Sequence, residues 1–223
     1  MIRGVVFDMD GVIADTEPVH TRSWEVLFAR MGLSAPKGYF DRFVGICDTD
    51  SVPMVNRDLG LKLDVEGTIS RRLDIFAELV TERGLRPNAG FSEFHRRCRI
   101  AGVPVGVATG SWRRTVDVVL KAVSAGLDAG PGGRAFDAVV TRDDVALPKP
   151  DPESYRKACA LLRREPRECL AVEDSPSGIA SAVDAGLRCI ALSTPYFRPA
   201  DLARAHEIIG SLEELANVRL NDR

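Results

Sequence analysis

The residues Gly4-Val5-Val6-Phe7-Asp8-Met9-Asp10-Gly11 constrain this chain more than any other stretch. Val5, Val6 and Phe7 make a short apolar run with β-branched residues, closed by a turn signal, which is the pattern of a strand buried on both faces of a parallel sheet. Asp8 and Asp10 fall just past its carboxyl end. Open α/β sheets bind their ligands at that edge, so the two carboxylates can converge on one ligand or cation. Gly11 lets the backbone turn tightly beside them. Asp-Met-Asp-Gly can also be read as a polar turn that merely ends a strand. A calcium loop is the weaker rival, because an EF-hand needs a preceding helix and further oxygen ligands, whereas a strand precedes here.

The rest of the chain supplies the partners such a strand needs. Val103-Pro104-Val105-Gly106-Val107-Ala108, Ala138-Val139-Val140, Cys169-Leu170-Ala171-Val172 and Arg188 to Leu192 read as further strands, with Ile208-Ile209 as a last edge strand. Between them lie helical patterns carrying Phe94, Cys98 and Ile100; Val116, Val119, Leu120 and Val123; and Tyr155, Ala158, Cys159 and Leu162. Ile179 to Ala185 is also helical, and Ser211 to Ala216 closes the pattern. Alternating strands and helices predict a parallel sheet covered on both faces.

Residues 16 to 87 break that alternation. Thr16-Glu17-Pro18 reads as a helix start with Thr16 or Glu17 at the cap, followed by Trp24, Leu27, Phe28 and Met31 at helical spacing up to Gly32. A second helix is expected from Asp50 to Leu59 and a third carries Ile69, Leu73, Phe76 and Val80. The expected organisation is therefore an α/β core, residues 1–15 and 88–223, with an all-helical segment, 16–87, inserted after the first strand. Ser124 to Gly133, with its glycines and Pro131, is expected to be a mobile surface loop.

Composition excludes several classes. Hydrophobic residues make up 45% of 223 and charged residues 28%, near the averages for folded soluble proteins. A net charge of -2 provides no electrostatic footprint for nucleic acid or an anionic membrane. No apolar run is long enough to span a bilayer. The five scattered cysteines form no Cys-x-x-Cys pair and read as small buried hydrophobes in a reduced, cytoplasmic setting. His95, Arg96, Arg97 and Arg99 read as a solvated face. No interface stripe is visible, so a monomer is the default, with a homodimer as the alternative.

Three more polar positions repeat the placement of Asp8. Thr109 follows Val107-Ala108, Lys149 lies beyond Val139-Val140 between two prolines, and Glu173-Asp174 follow Ala171-Val172. One sheet edge would then hold carboxylates, a hydroxyl and an ammonium, the set that phosphoryl transfer requires. A carboxylate such as Asp8 can attack phosphorus and form an aspartyl-phosphate. Asp10 can protonate the leaving oxygen and later deprotonate water. Asp8, Asp174 and a backbone carbonyl near Asp10 offer hard oxygen ligands to Mg2+. Thr109 can donate to a phosphoryl oxygen and Lys149 can supply a compact positive charge.

With these pieces the sequence resembles the haloacid dehalogenase-like superfamily of hydrolases. The matching motifs are Asp8-Met9-Asp10-Gly11, Val107-Ala108-Thr109-Gly110-Ser111, Lys149-Pro150-Asp151-Pro152-Glu153 and Glu173-Asp174-Ser175-Pro176-Ser177-Gly178, in the family's order. The resemblance implies a Rossmann-like core with an inserted helical cap. It implies Asp8 as nucleophile, Asp10 as acid/base, and Thr109, Gly110 and Lys149 at the phosphoryl group. It further implies Mg2+ held by Asp8, Asp10 and Asp174 with Glu173 close by, and a small phosphorylated metabolite as substrate. Asp15-Thr16-Glu17-Pro18, His20 and Trp24 resemble the β-phosphoglucomutase and small sugar phosphatase branch. There the mutases carry a lysine and an arginine in a cap loop, where this chain has Val44 and Asp48.

Substrate contacts are implied for Arg72 or its neighbour Arg71, which could equally sit on a solvated helix face. His20 could face the site or pack locally. Ser111 and Arg113 follow Thr109 closely enough to reach the substrate, although an arginine there can also be a surface residue. A phosphatase is expected first; a phosphomutase, and a metal-binding regulator without turnover, are the alternatives. A phosphonatase is disfavoured, because the cap lysines Lys37 and Lys62 match no Schiff-base pattern, and a helical cap of this size would exclude protein substrates.

Overall fold

In the computed structural model, which describes residues 1–129 and 133–220, the six predicted strands form one sheet. They are β1 (Gly4–Phe7), β2 (Val105–Ala108), β3 (Ala138–Val140), β4 (Cys169–Glu173), β5 (Arg188–Leu192) and β6 (Glu207–Ile209), in the spatial order β3-β2-β1-β4-β5-β6. Every pairing is parallel. Val5 sits beside Val105 on one side and Leu170 on the other, and Phe7 beside Val107 and Val172. The strand order reverses at β1, so the crevice that forms at such a switch point opens at the carboxyl ends of β1 and β4. Asp8 and Asp174 emerge there.

The two faces of the sheet are packed differently. Val5, Phe7, Val105, Val107, Leu170, Val172 and Ile190 face α4 (Phe91–Ile100) and α5 (Arg113–Ser124), with the Phe7 ring meeting Phe91 and Phe94 edge-on at 5.0 and 6.1 Å. Val6, Ala108, Cys169, Ala171, Cys189 and Ala191 face α6 (Glu153–Leu161) and α7 (Pro176–Ala185). Alternate residues serve opposite faces because the strand repeat is two.

The helical insert comprises α1 (Glu17–Arg30), a 3-10 turn at Tyr39–Phe43, α2 (Asp48–Leu59) and α3 (Val65–Arg83). It has its own core, in which Trp24, Phe28, Phe40 and Phe43 pack with Val52, Val55, Leu73 and Leu79. α3 serves two cores, because Phe76 and Val80 join the group beneath the sheet. The chain leaves the sheet edge after Ala14 and returns at Asn88. There the Asn88 side chain donates to the carbonyls of Gly11 and Val12 at 2.8 and 3.0 Å, tying both crossings together.

Several expectations need correction. β2 begins at Val105, because Pro104 has no N–H to donate and only its carbonyl joins the sheet, accepting from Val5 N at 3.0 Å. α2 starts two residues earlier than expected, at Asp48. The last expected helix is a 3-10 segment, Leu212–Asn217, started by reciprocal hydrogen bonds between Ser211 and Glu214. The supposed solvated face on α4 is solvated only at Arg96. His95 is fully buried with Nε2 2.7 Å from the Ala135 carbonyl, Arg97 donates to the carbonyls of Leu215 and Val218, and Arg99 pairs with Asp137 at 2.5 Å. Of the cysteines, Cys98, Cys159, Cys169 and Cys189 are buried as expected, while Cys47 is partly exposed at the start of α2. In the stretch expected to be a loop, α5 runs through Ser124, and residues 130–132 lie outside those described. No helix among the described residues is long and apolar enough to cross a membrane.

Candidate active site

A cavity of about 350 Å³ lies between the carboxyl edge of the sheet and the insert. Its floor is Asp8, Asp10, Gly110, Ser111, Lys149 and Asp174; its roof includes Glu17, His20, Trp24, Val44, Asp48, Asp50 and Arg72. The backbone delivers the floor directly: each of these residues follows a strand, or the loop after one, on the same edge.

Lys149 is the hub. Its Nζ donates to Asp8 Oδ1 at 2.7 Å, to Glu173 Oε1 at 2.5 Å and to the Ala108 carbonyl at 2.9 Å, and its side chain is 9% exposed. An ammonium has three donors, and all three are used. Burial works against its charge, but Asp8 and Glu173 outweigh that and hold its pKa above the ordinary lysine value. Glu173 is fully buried and satisfied from all sides. Oε1 also accepts from Tyr155 Oη at 2.8 Å, and Oε2 accepts from the N–H of Asp174 and Ser175 at 3.1 and 3.3 Å. It has room only because residue 178 is glycine. A Cβ there would lie 1.9 Å from Oε1.

Asp10 is held in another way. Oδ1 accepts from Thr16 Oγ1 at 2.6 Å and lies 3.5 Å from His20 Nε2, while Oδ2 accepts from Ser111 Oγ at 2.7 Å and Thr109 Oγ1 at 3.2 Å. Burial would raise its pKa, yet the interaction with His20 and the hydroxyls of Thr16 and Ser111 bring it down to about 2. Thr16 does begin α1, but its hydroxyl serves Asp10 and not the helix end.

Asp8, Glu173 and Asp174 bring one carboxylate oxygen each within 4.8 Å of one another, all buried. Burial first, and then the neighbouring carboxylates, push the pKa of Asp174 well above the ordinary value; Asp8 is raised likewise, partly countered by Lys149. Three buried carboxylates against one ammonium leave negative charge uncompensated, which a divalent cation would relieve. Asp174 also reaches the site through a gap in the chain. Gly11, at φ 79°, has no Cβ, and one would fall 2.1 Å from Asp174 Oδ2. The donor set is all oxygen, which suits Mg2+. The Asp10 side chain is outside this cluster, turned toward its own donors.

The remaining expected residues divide. Ser111 and His20 reach the cavity, His20 also stacking on Phe76 with ring centroids 4.4 Å apart, so it both packs and faces the site. Arg72 is 4% exposed and not on a solvated face; Arg71 is exposed. Arg72 pairs with Asp48, donates to Ser23 Oγ at 3.0 Å, approaches His20 Nδ1 at 3.3 Å and lies over the Trp24 ring. Arg113 does not reach the cavity, because its guanidinium is drawn to Asp144 at 2.6 Å and its own N–H to Asp143 at 2.7 Å. Thr109 lies beneath the floor, donating to Asp10 and accepting from Ser111 N at 3.0 Å.

Some participants were not singled out from sequence. Tyr155 was expected only as a core residue, although a buried phenol needs a polar partner and so advertises one. Glu17 was read as a helix cap; it lines the cavity, and burial, with Asp10 and Asp15 adding to it against His20, pushes it up to about 7. Phe197, from the loop after β5, closes the side wall beside Gly45.

Residues 2–186 match the family model of the haloacid dehalogenase-like hydrolases, and the chain belongs to that family. Protein CbbY of Cereibacter sphaeroides is 28% identical over 98% of this chain and 96% of its own length. Validoxylamine A 7'-phosphate phosphatase of Streptomyces hygroscopicus subsp. limoneus is 28% identical over 96% of each chain. The crystal structure of a CbbY mutant from Rhodobacter sphaeroides in complex with xylulose-(1,5)-bisphosphate superposes with a TM-score of 0.84, at 27% identity over 96% of both chains. The chain is thus an enzyme, a phosphoric monoester hydrolase of the haloacid dehalogenase-like family.

Proposed function

We propose that this chain hydrolyses a small phosphorylated metabolite, a sugar phosphate or similar, in a Mg2+-dependent reaction through an aspartyl-phosphate on Asp8. The observation that carries this reading is the placement of Asp8. One of its oxygens is pinned by Lys149 on the floor of a cavity of about 350 Å³, with Asp10 two residues away and separately held.

Asp8 attacks phosphorus; an O–P bond forms and the ester O–P bond breaks. Asp10 gives a proton to the departing alkoxide, so the alcohol leaves neutral. A water then attacks the acyl-phosphate as Asp10 takes its proton, and inorganic phosphate and the Asp8 carboxylate are regenerated. The donors around Asp10 favour its anion, the form needed to activate water. A phosphoryl group bound beside it is a like charge and raises its proton affinity, as the first step requires. Lys149 offsets charge on the phosphoryl oxygens, and Gly110, which has nothing within 4 Å of where a Cβ would sit, lets them approach the loop after β2. Thr109 supports the phosphoryl group through Asp10 and Ser111. Asp8 and Asp174, with a carbonyl near Asp10 and Glu173 close by, would hold Mg2+, which supplies Lewis-acid stabilisation of the phosphoryl charge. Residues 16–87 act as a cap that covers the site and presents His20 and Arg72 in its roof.

The test is phosphate release from a panel of small phosphoesters, with Mg2+ and with chelator, for wild type and Asp8→Asn. Magnesium-dependent release that Asp8→Asn abolishes is expected. Release that persists in a clean Asp8→Asn preparation would refute the mechanism.

A further inference from the structure

The phosphoryl corner of the cavity takes one phosphate; what its roof accepts depends on which charges are free there. Among the described residues, the basic side chains lining the cavity are Lys149, Arg72 and His20. Lys149 has all three donors committed on the floor. Arg72 is almost wholly enclosed by Asp48, Ser23, His20 and the Trp24 ring. Both His20 nitrogens are engaged, one toward Arg72 and one toward Asp10. Arg72 Nε lacks a partner but is buried, so among the described residues no basic side chain in the roof presents a free donor to a second anionic group.

The carboxyl groups are differently placed. Glu17 lines the cavity with no side-chain hydrogen bond among the described residues, Asp48 is paired with Arg72, and Asp50, exposed at the rim in the first turn of α2, has no ion pair among the described residues. Phe40, Phe43 and Phe197 add apolar surface to the lining. Rings and carboxylates suit a hydroxylated or amino-bearing alcohol, since hydroxyl and ammonium hydrogens donate to carboxylates and C–H faces stack on rings. A second phosphate brought to that roof meets like charge without a counter-ion.

We propose that this site selects monophosphate esters whose alcohol is neutral or cationic and rejects those bearing a second phosphate, with Asp50 as a specificity-determining residue at the rim. The inference rests on the phosphatase reading above. It separates this chain from the bisphosphate captured in the CbbY mutant complex.

The experiment compares kcat/KM for matched pairs, xylulose 5-phosphate against xylulose 1,5-bisphosphate and glucose 6-phosphate against glucose 1,6-bisphosphate, in wild type and Asp50→Lys. Glucosamine 6-phosphate and p-nitrophenyl phosphate complete the panel. Wild type should favour each hydrolysed monophosphate over its bisphosphate by at least about tenfold, with glucosamine 6-phosphate at least equal to glucose 6-phosphate. Asp50→Lys, on an exposed first turn, should raise kcat/KM for each bisphosphate relative to its monophosphate about fivefold. Bisphosphates hydrolysed as well as or better than their monophosphates would overturn the proposal, and an unmoved ratio in Asp50→Lys would remove Asp50 from it. Wild type that releases phosphate from no ester, p-nitrophenyl phosphate included, would instead refute the phosphatase reading itself.

Discussion

Gly178→Ala adds one methyl group and should damage both stability and activity. The new Cβ would lie 1.9, 2.2 and 2.1 Å from Oε1, Oε2 and Cδ of Glu173, where an ordinary carbon–oxygen contact exceeds 3 Å. Glu173 is fully buried on β4 and cannot retreat along the strand. Overpacking of this kind costs about 1–3 kcal/mol, and alanine recovers at most ~1 kcal/mol of helix propensity. Escape by rotation is no cheaper. It would break the bonds to Lys149 and Tyr155, and charge-assisted bonds contribute about 1.5–3 kcal/mol each. A 1.9 Å approach puts the clash at the upper end of the overpacking range, so the expected net loss is about 2–3 kcal/mol, or roughly 4–12 °C in Tm for a chain of this length. Urea unfolding measures the first and phosphate release the second, which should fall because Lys149 loses one of its two carboxylate anchors. The decisive control is the cycle with Glu173→Ala. If the clash is the cause, Gly178→Ala should cost little once Glu173 is trimmed, with a coupling of at least about 1 kcal/mol. Strictly additive effects, or a Gly178→Ala protein as stable as wild type, would refute the reasoning.

Two further outcomes are expected. Arg72→Ala should destabilise by about 3–5 kcal/mol in urea unfolding, because it leaves Asp48 buried and unpaired, whereas Arg72→Met with Asp48→Leu should cost much less; equal costs would show the pair to be irrelevant. The pH dependence of His95 has a definite sign. Burial holds its pKa below 6.5, with Nδ1 buried and unpartnered, so below pH 6.5 the unfolded chain binds a proton that the folded chain resists. Its contribution is present above pH 6.5 and is lost as pH falls toward the folded pKa. Between pH 7 and 5 the Tm of wild type should thus drop more steeply than that of His95→Gln, whose amide can still donate to the Ala135 carbonyl; parallel curves would sink this account.

The alternation of strand and helix, its interruption by helices after β1 and the position of Asp8, Asp10, Lys149 and Asp174 past apolar strands were all legible in the sequence. Each depends on local order along the chain: a strand buried on both faces must be apolar throughout, and the residue after it must emerge at the ligand edge. The roof of the cavity was not legible in that way. Helical periodicity identifies Arg72 as one face of α3 but does not say that Asp48, from another helix, will enclose it. The basic run on α4 looked solvated because its partners, the carbonyls of Leu215 and Val218 and the carboxylate of Asp137, lie far along the chain. Arg113 lies only two residues beyond Ser111 in the segment after β2, yet Asp144 draws it away from the cavity. Sequence by itself determined the floor of the site, because one strand edge carries it. Only the tertiary structure decided which charges in the roof are spent on one another and which are left for a substrate, because that depends on contacts between elements that no local pattern encodes.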